Sequence, residues 1–206
     1  MQKIINNSKK YYEDKFKKFG PSVKGLNWKN KSSQELRFKI LTKIGNINNR
    51  SVHDFGCGYG DFNKYLKKDF INFKYIGTDI SELILKEAKK KNRQNSIFYK
   101  YDIINSSFEK KLVSDFVLNS GVFTVRNNIN NDKWWGFVKS GIKSMYKYSK
   151  IGIGFNLMSS VVDFKERHLF YKSPKDVSKF IQNNLSEKIK IVYSQYLWEY
   201  TVFVYK

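Results

Sequence analysis

The sequence predicts an α/β fold in which helices cover both faces of a mostly parallel sheet. Strand-like and helix-like segments alternate from residue 51 onwards, and neither an internal repeat nor a composition break interrupts them. The chain then ends in two β-rich runs, 188–195 and 197–206, close enough together to form a hairpin. These observations predict a parallel sheet that an antiparallel pair completes.

Each element follows from a local pattern. Two helices are expected before the first strand, over 6–19 and 34–44, with Ser32 or Ser33 as the cap of the second. Later helices are expected near 61–68, over 81–92 behind a Ser81 cap, over 131–149, and over 173–185 behind Ser173-Pro174. The remaining strands are predicted at 51–55, 74–79, 97–102, 113–120 and 151–158.

Length and composition indicate one soluble domain. The 206 residues are 41% hydrophobic and 17% aromatic, enough to bury a single core. One cysteine permits no internal disulfide, which favours a reducing compartment, and no metal-ligand pattern is present. The first 25 residues contain no apolar signal region, and no apolar run approaches the length of a membrane span. A cytoplasmic location is therefore expected.

The net charge of +21 has two interpretations. It could attract a polyanion such as RNA, DNA, an anionic glycan or a membrane surface. It could also reflect codon bias, because the chain is rich in Lys, Asn and Ile, and only five of its 39 basic residues are Arg. Arg is the residue that usually binds phosphate in a bidentate way. Both interpretations stay open at this point.

A glycine loop follows the first predicted strand. Glycines at 56, 58 and 60 allow a sharp turn and a close approach of the backbone to a ligand. A dinucleotide-binding loop would need its third glycine at position 61, where this chain has Asp61. An acid beside the start of the next helix disfavours a pyrophosphate and tolerates a cationic ligand.

The pattern Asp54-x-Gly56-x-Gly58-x-Gly60 resembles motif I of the class I, Rossmann-like methyltransferases that use S-adenosylmethionine. The resemblance implies a seven-stranded sheet of order 3-2-1-4-5-7-6 in three αβα layers. It also implies that the loop, with Cys57 as a small member, passes under the amino-acid portion of the cofactor. Two further acids end the second and third strands: Asp79 would accept the ribose hydroxyls, and Asp102 would contact the adenine amino group. Ile80 or Ile103 would flank the adenine ring.

Over nearly the whole chain, the sequence also looks like a subgroup of small bacterial methyltransferases. The segments that carry this likeness are 11–20, 25–28, 34–38, 119–123, 155–160, 162–163 and 168–171. The resemblance implies one domain, 1–206, with an N-terminal helical lid over 1–45 and a core over 46–206. Within the lid, Trp28, Gln34 and Arg37 would face the cofactor, with Gln34 or Arg37 reaching the methionyl carboxylate. A core Trp and a solvated helix face are the alternatives.

The segment after the fourth strand is placed near the methyl-transfer centre. Asn119 is a candidate for cofactor contact and catalysis, and Ser120 for acceptor binding. The sequence there is NSGVF and not the Asn/Asp-Pro-Pro-Tyr/Phe motif that many amino-group methylases of bases and glutamines use, which argues against methylation of DNA adenine or of an exocyclic amine.

Catalysis needs a base only if the acceptor atom carries a proton, since methyl transfer is an in-line displacement governed by positioning. His168 is the candidate base, with Asp163 or Glu166 nearby, against an ordinary surface histidine. His53, inside the first strand, is interpreted as structural. Arg167 and Tyr171 are candidates to shape the acceptor pocket or to bind an anionic acceptor.

Three functions compete. The first is methylation of a small molecule or glycan at oxygen, with S-adenosylhomocysteine as the product. The second is tRNA or rRNA methylation, suggested by the charge and by aromatics interleaved with Lys. The third is a non-catalytic S-adenosylmethionine-binding protein or a nucleotide-dependent oxidoreductase.

Overall fold

An eight-stranded mixed sheet forms the centre of the molecule in the computed structural model, which describes residues 1–92, 96–194 and 197–206. Its strands are β1 (Ser51–Phe55), β2 (Lys74–Asp79), β3 (Ser96–Lys100), β4 (Ser114–Asn119), β5 (Ser149–Ser159), β6 (Tyr171–Lys172), β7 (Ile189–Ser194) and β8 (Glu199–Tyr205). Their order is β3-β2-β1-β4-β5-β8-β7, and β6 pairs with the end of β5. Without the two-residue β6, this is the expected order 3-2-1-4-5-7-6.

The direction of the strands also agrees with the prediction. The strands from β1 to β6 pair in parallel, whereas β8 runs antiparallel to both β5 and β7. Because β8 lies between β5 and β7, the last strand in the chain is an interior strand of the sheet. The predicted run 188–195 includes Gln195, which lies outside the described residues.

Six α-helices occur in the described ranges: α1 (Gln2–Phe19), α2 (Lys31–Leu41), α3 (Asp61–Asp69), α4 (Glu82–Lys91), α5 (Asn131–Tyr148) and α6 (Pro174–Asn184). Ser81 and Ser173 cap α4 and α6 as expected. The cap expected at Ser32 or Ser33 is wrong. The side chain of Asn30 accepts from the Ser33 amide at 2.8 Å, so α2 begins one turn earlier than the sequence pattern indicated.

Two apolar clusters hold the helices on opposite faces of the sheet. One cluster joins α5, α6 and the start of α1, and the other joins α2, α3 and α4. In β1, Val52 belongs to the second cluster and Phe55 to the first, as the alternation of side chains along a strand requires. The predicted three layers are therefore confirmed. No helix among the described residues combines the length and the hydropathy needed to cross a bilayer.

Candidate active site

A pocket lies at the carboxyl edge of the parallel strands, where ligands bind in open α/β sheets. The loops after β1, β2, β3 and β4 form its floor and sides. Its outer wall comes from the N-terminal segment, through α1 and the chain around Trp28. Three of the predicted acids, Asp54, Asp79 and Asp102, are brought together there.

The glycine loop is shaped as a cradle. Gly56 and Gly58 both line the pocket and both have φ in the left-handed region, +74° and +53°. A Cβ at Gly56 would lie 2.2 Å from a methyl of Val122, and one at Gly58 would lie 2.7 Å from a methyl of Leu26. Gly60 faces away from the pocket, against Asn92 and Phe98. Its place is at the cap of α3, so cofactor contact by Gly60 has no support in this geometry.

Asp79 is held in place by backbone donors. One carboxylate oxygen accepts from the Gly58 amide at 3.1 Å, and the other accepts from the Ser81 amide at 2.9 Å. Burial raises the pKa of this carboxyl, and the same backbone bonds oppose that rise. Since each oxygen has lone-pair capacity to spare, the carboxylate can accept two hydroxyls side by side. This is the arrangement that a ribose requires.

The loop after β3 presents Asp102 but not Ile103. The Asp102 carboxylate accepts from the amides of Ile104 and Asn105 and from the Asn105 side chain, at 3.0, 3.2 and 2.9 Å. This turn directs Ile103 into the core, where it is buried, and Ile104 into the pocket. The ring-flanking position predicted for Ile80 or Ile103 is therefore available to Ile80 and to Ile104.

Asp54 and Cys57 form the deep floor of the pocket. The pKa of Asp54 is raised to about 7 by burial, although the hydroxyl of Tyr75 donates to the carboxylate at 2.5 Å. Burial also raises the pKa of the Cys57 thiol well above its usual range. A buried thiol of this kind is inert, consistent with Cys57 as a small residue of the loop.

The three lid residues are divided between two roles. Trp28 and Gln34 line the pocket, and the Gln34 amide donates to Asp61 at 3.4 Å. Arg37 does not line it, because its guanidinium is paired with Glu199. Of the two candidates for the methionyl carboxylate, Gln34 is the one that reaches the pocket.

The residues after β4 also differ in placement. Asn119 is fully buried, and its amide donates to the carbonyl oxygen of Phe55 at 3.2 Å. It joins β4 to β1 and is absent from the pocket lining, so neither its cofactor nor its catalytic role has support in this geometry. Ser120 does line the pocket. Its buried hydroxyl has no hydrogen-bond partner among the described residues.

His168 and its neighbours lie outside the pocket lining. The Nδ1 atom of His168 is 3.4 Å from a Glu166 carboxylate oxygen, and both side chains are well exposed. Arg167 is exposed, and the Tyr171 hydroxyl accepts from the Glu166 amide at 3.0 Å. A base role for His168 would require this segment to move.

The structural interpretation of His53 agrees with its full burial, its 2.8 Å contact with the Thr78 hydroxyl and a pKa that burial lowers to about 4.

Sequence reasoning missed α1 as part of the site. Ile5, Ser8 and Tyr12 line the pocket, and their i, i+3, i+7 spacing was a readable signal for one helix face. It also missed Glu199, whose signal was an acid at the start of an otherwise apolar strand.

The strand order, the terminal antiparallel pair and the strand-end pocket define the class of Rossmann-like methyltransferases. Residues 52–137 match the family model described as a methyltransferase domain. The chain therefore carries a methyltransferase domain of class I, the class that uses S-adenosylmethionine as its methyl donor.

Comparisons with solved structures support the same fold. Magnesium protoporphyrin IX methyltransferase from Synechocystis PCC 6803, with bound S-adenosylmethionine, superposes with a TM-score of 0.60 at 14% identity, covering 84% of this chain and 79% of that chain. An S-adenosylmethionine-dependent methyltransferase from Aquifex aeolicus gives 0.62 at 16% identity, covering 85% and 93%. Human N-acetylserotonin methyltransferase gives 0.62 at 12% identity, covering 83% and 52%. No curated protein matches the chain in sequence.

Proposed function

We propose that the protein transfers a methyl group from S-adenosylmethionine to an oxygen atom of a small-molecule or glycan acceptor in the cytoplasm. The observation that carries this proposal is the convergence of the glycine cradle, Asp79 and Asp102 at the ends of three neighbouring parallel strands. The whole chain acts as one domain, with residues 1–45 as the lid over the core.

The charge of the pocket favours a sulfonium over a pyrophosphate. Asp61 and Asp79 both line it. A cationic sulfur is stabilised near carboxylates, whereas a pyrophosphate would be repelled by Asp61 at the start of α3. The residues present therefore fit S-adenosylmethionine better than a dinucleotide.

Each part of the cofactor has a matching residue. Gly56 and Gly58 would let the backbone approach the cofactor, and Asp79 and Asp102, which line the same pocket, would accept hydrogen bonds from its ribose and its adenine amino group. The Gln34 amide is the donor available to its carboxylate. When bound, the cofactor supplies an electrophilic methyl group.

The protein's own contribution to methyl transfer is positioning and exclusion of water. The helix α1 and the chain from 26 to 28 cover the pocket. The Ser120 hydroxyl, which has no hydrogen-bond partner in the part of the chain that the structure describes, is available to hold the acceptor beside the methyl. Holding the two reactants in line provides much of the rate acceleration for such a displacement.

A covered pocket supports a small acceptor. Two of the compared structures, the magnesium protoporphyrin IX and N-acetylserotonin enzymes, are named for small-molecule acceptors. The second candidate is tRNA or rRNA methylation, favoured by Lys9, which lines the pocket from the lysine-rich α1. Product formation with RNA that falls steeply as salt rises, and none with metabolites or glycans, would favour this second candidate.

Calorimetric titration with S-adenosylmethionine and with NAD tests the cofactor proposal. We expect the wild type to bind S-adenosylmethionine and not NAD. Asp79→Ala should weaken binding by about tenfold or more, because two charge-assisted hydrogen bonds are lost. The exposed Asp69→Ala is the matched control and should bind as the wild type does. A folded wild-type protein that does not bind S-adenosylmethionine would refute the proposal. Binding of NAD instead would favour the alternative function, a nucleotide-dependent oxidoreductase.

A further inference from the structure

A closed ring of contacts joins the lid to the wall of the pocket. Arg37 donates to Glu199 through Nε at 3.0 Å and through Nη2 at 2.5 Å. The Asn156 amide donates to the same carboxylate at 2.6 Å, and its oxygen accepts from the Gly121 amide at 2.8 Å. Trp28 closes the ring between Arg37 and Gly121.

The two contacts of Trp28 are different in kind. The Arg37 guanidinium lies 4.9 Å from the centre of the indole ring, a cation–π distance. The edge of the same ring packs on Gly121, where a Cβ would lie only 2.9 Å from Cη2. Gly121 also has φ of +86°, so the backbone there suits glycine on two counts.

Burial makes this ring rigid. Glu199 and Asn156 are only 5% and 2% exposed, and the Arg37 side chain is 13% exposed. A buried charge without its partner is costly, so neither Arg37 nor Glu199 can leave the pair easily. The Arg37 fork also fixes direction, because bidentate binding allows one orientation of the guanidinium plane.

The members of the ring divide into two groups. Trp28 and Gly121 line the pocket, whereas Arg37, Glu199 and Asn156 do not. The second group can therefore affect a ligand only through the first. Gly121 directly follows Ser120, the residue available to the acceptor, so a shift of Gly121 also moves that hydroxyl.

We propose that Glu199 and Asn156 are positioning residues that hold Trp28 and Gly121 at the methyl-transfer end of the pocket. This inference rests on the proposed function, since it concerns the same cofactor site. It assigns Arg37 a role different from cofactor contact: the guanidinium fixes the indole that walls the pocket.

The test is a double-mutant cycle read by S-adenosylmethionine affinity. Glu199→Gln keeps the shape of the side chain and removes the charge that holds Arg37. We expect it to weaken binding by roughly tenfold at a temperature where circular dichroism shows a folded protein. Combined with Trp28→Ala, it should cause a loss clearly smaller than the sum of the two single losses, because Glu199 acts in part through Trp28.

Glu35→Gln is the matched control. Glu35 lies on the same helix as Arg37 and pairs with Lys68 at 3.1 Å on the exposed surface, and its loss should leave the affinity unchanged. If Glu199→Gln does not fold, Asn156→Ala replaces it in the same cycle, since it breaks the ring at Gly121 and removes no charge.

Wild-type affinity in the folded Glu199→Gln protein would overturn the inference. So would additive losses in the cycle, which would mean that the ring supports the fold without positioning Trp28. Both outcomes differ from failure of the proposed function, in which the wild type itself does not bind S-adenosylmethionine.

Discussion

Replacing Asp54 with Asn is expected to stabilise the protein above neutral pH. Burial raises the pKa of Asp54 from 3.8 to about 7, so the folded state keeps this proton over a pH range in which the unfolded chain has lost it. The folded state is therefore destabilised progressively as pH rises from 3.8 to about 7, and by a constant amount above that. This shift in the pKa of Asp54 corresponds to a loss of about 4 kcal/mol in the free energy of unfolding.

The contribution of His53 to stability changes with pH in the opposite direction, over nearly the same pH range. Burial lowers its pKa from 6.5 to about 4, so between these pH values the unfolded chain binds a proton that the folded state does not bind. Stability from His53 is complete above pH 6.5 and is lost as pH falls towards 4, by about 3 kcal/mol. In the wild type these two contributions oppose each other, and Asp54→Asn should leave the His53 contribution unopposed by Asp54.

Urea unfolding of the ligand-free wild type and the Asp54→Asn variant, from about pH 4 to about pH 9, measures this effect. The difference in the free energy of unfolding between the two proteins removes the His53 contribution. This difference should be near zero at about pH 4, where the side chain at position 54 is neutral in both folded proteins. It should approach about 4 kcal/mol in favour of the Asp54→Asn variant at about pH 8. Parallel curves for the two proteins would mean that Asp54 is ionised in the folded state, and the reasoning would fail.

Asp115→Asn is a control of opposite sign. Partial burial pushes the pKa of Asp115 up, but the amide and hydroxyl of Ser51, at 2.8 and 2.9 Å, outweigh it and bring the pKa below its usual value. Asp115 therefore stabilises the folded state at neutral pH and loses that contribution in acid. Its Asn variant should be less stable at neutral pH, with a difference that fades below about pH 4.

Two further predictions concern the lid and the proposed base. Ser81→Ala removes the cap of α4 and the 2.7 Å bond to Glu13 of α1, so we expect a loss of about 1–2 kcal/mol in urea unfolding and weaker S-adenosylmethionine binding. Ser173→Ala, which removes a comparable cap from α6, should lower stability without weakening S-adenosylmethionine binding. If both variants weakened binding equally, the bond between Ser81 and Glu13 would not be what holds α1 over the pocket. His168→Ala should leave S-adenosylmethionine affinity unchanged in calorimetry, because the side chain lies outside the pocket lining; a large loss would place His168 at the cofactor.

The sequence was sufficient for the features that local patterns determine. Apolar runs that end in an acid specify where a buried strand stops, and Asp79 ends β2 as predicted. Asp102 lies two residues beyond the end of β3, where its side chain begins an Asx-type turn by accepting from the Ile104 amide. The strand positions, and with them the site at their carboxyl edge, follow from hydrophobic periodicity and turn residues.

Features that depend on distant residues were not predictable. Nothing near Arg37 in the sequence indicates that its partner is Glu199, 162 residues away, so the local sequence is equally compatible with a cofactor role. The two-residue β6 was missed for the same reason, since its pairing with β5 exists only once the chain has folded. Ile103 and Ile104 cannot be ranked from sequence, because the turn at Asp102 decides which side chain faces the pocket.

The interior position of β8 has a consequence for how the molecule is made. During synthesis, the parallel strands and most of the pocket residues leave the ribosome before β8. Until β8 is available, the edge of β5 that it pairs with has no antiparallel partner. Arg37 emerges early but meets its counter-ion last, so its charge stays hydrated until Glu199 arrives. Insertion of one late strand then pairs the sheet edge, neutralises the guanidinium and sets the pocket wall together. A nascent chain halted before β8 would carry the glycine loop and yet lack a finished binding site.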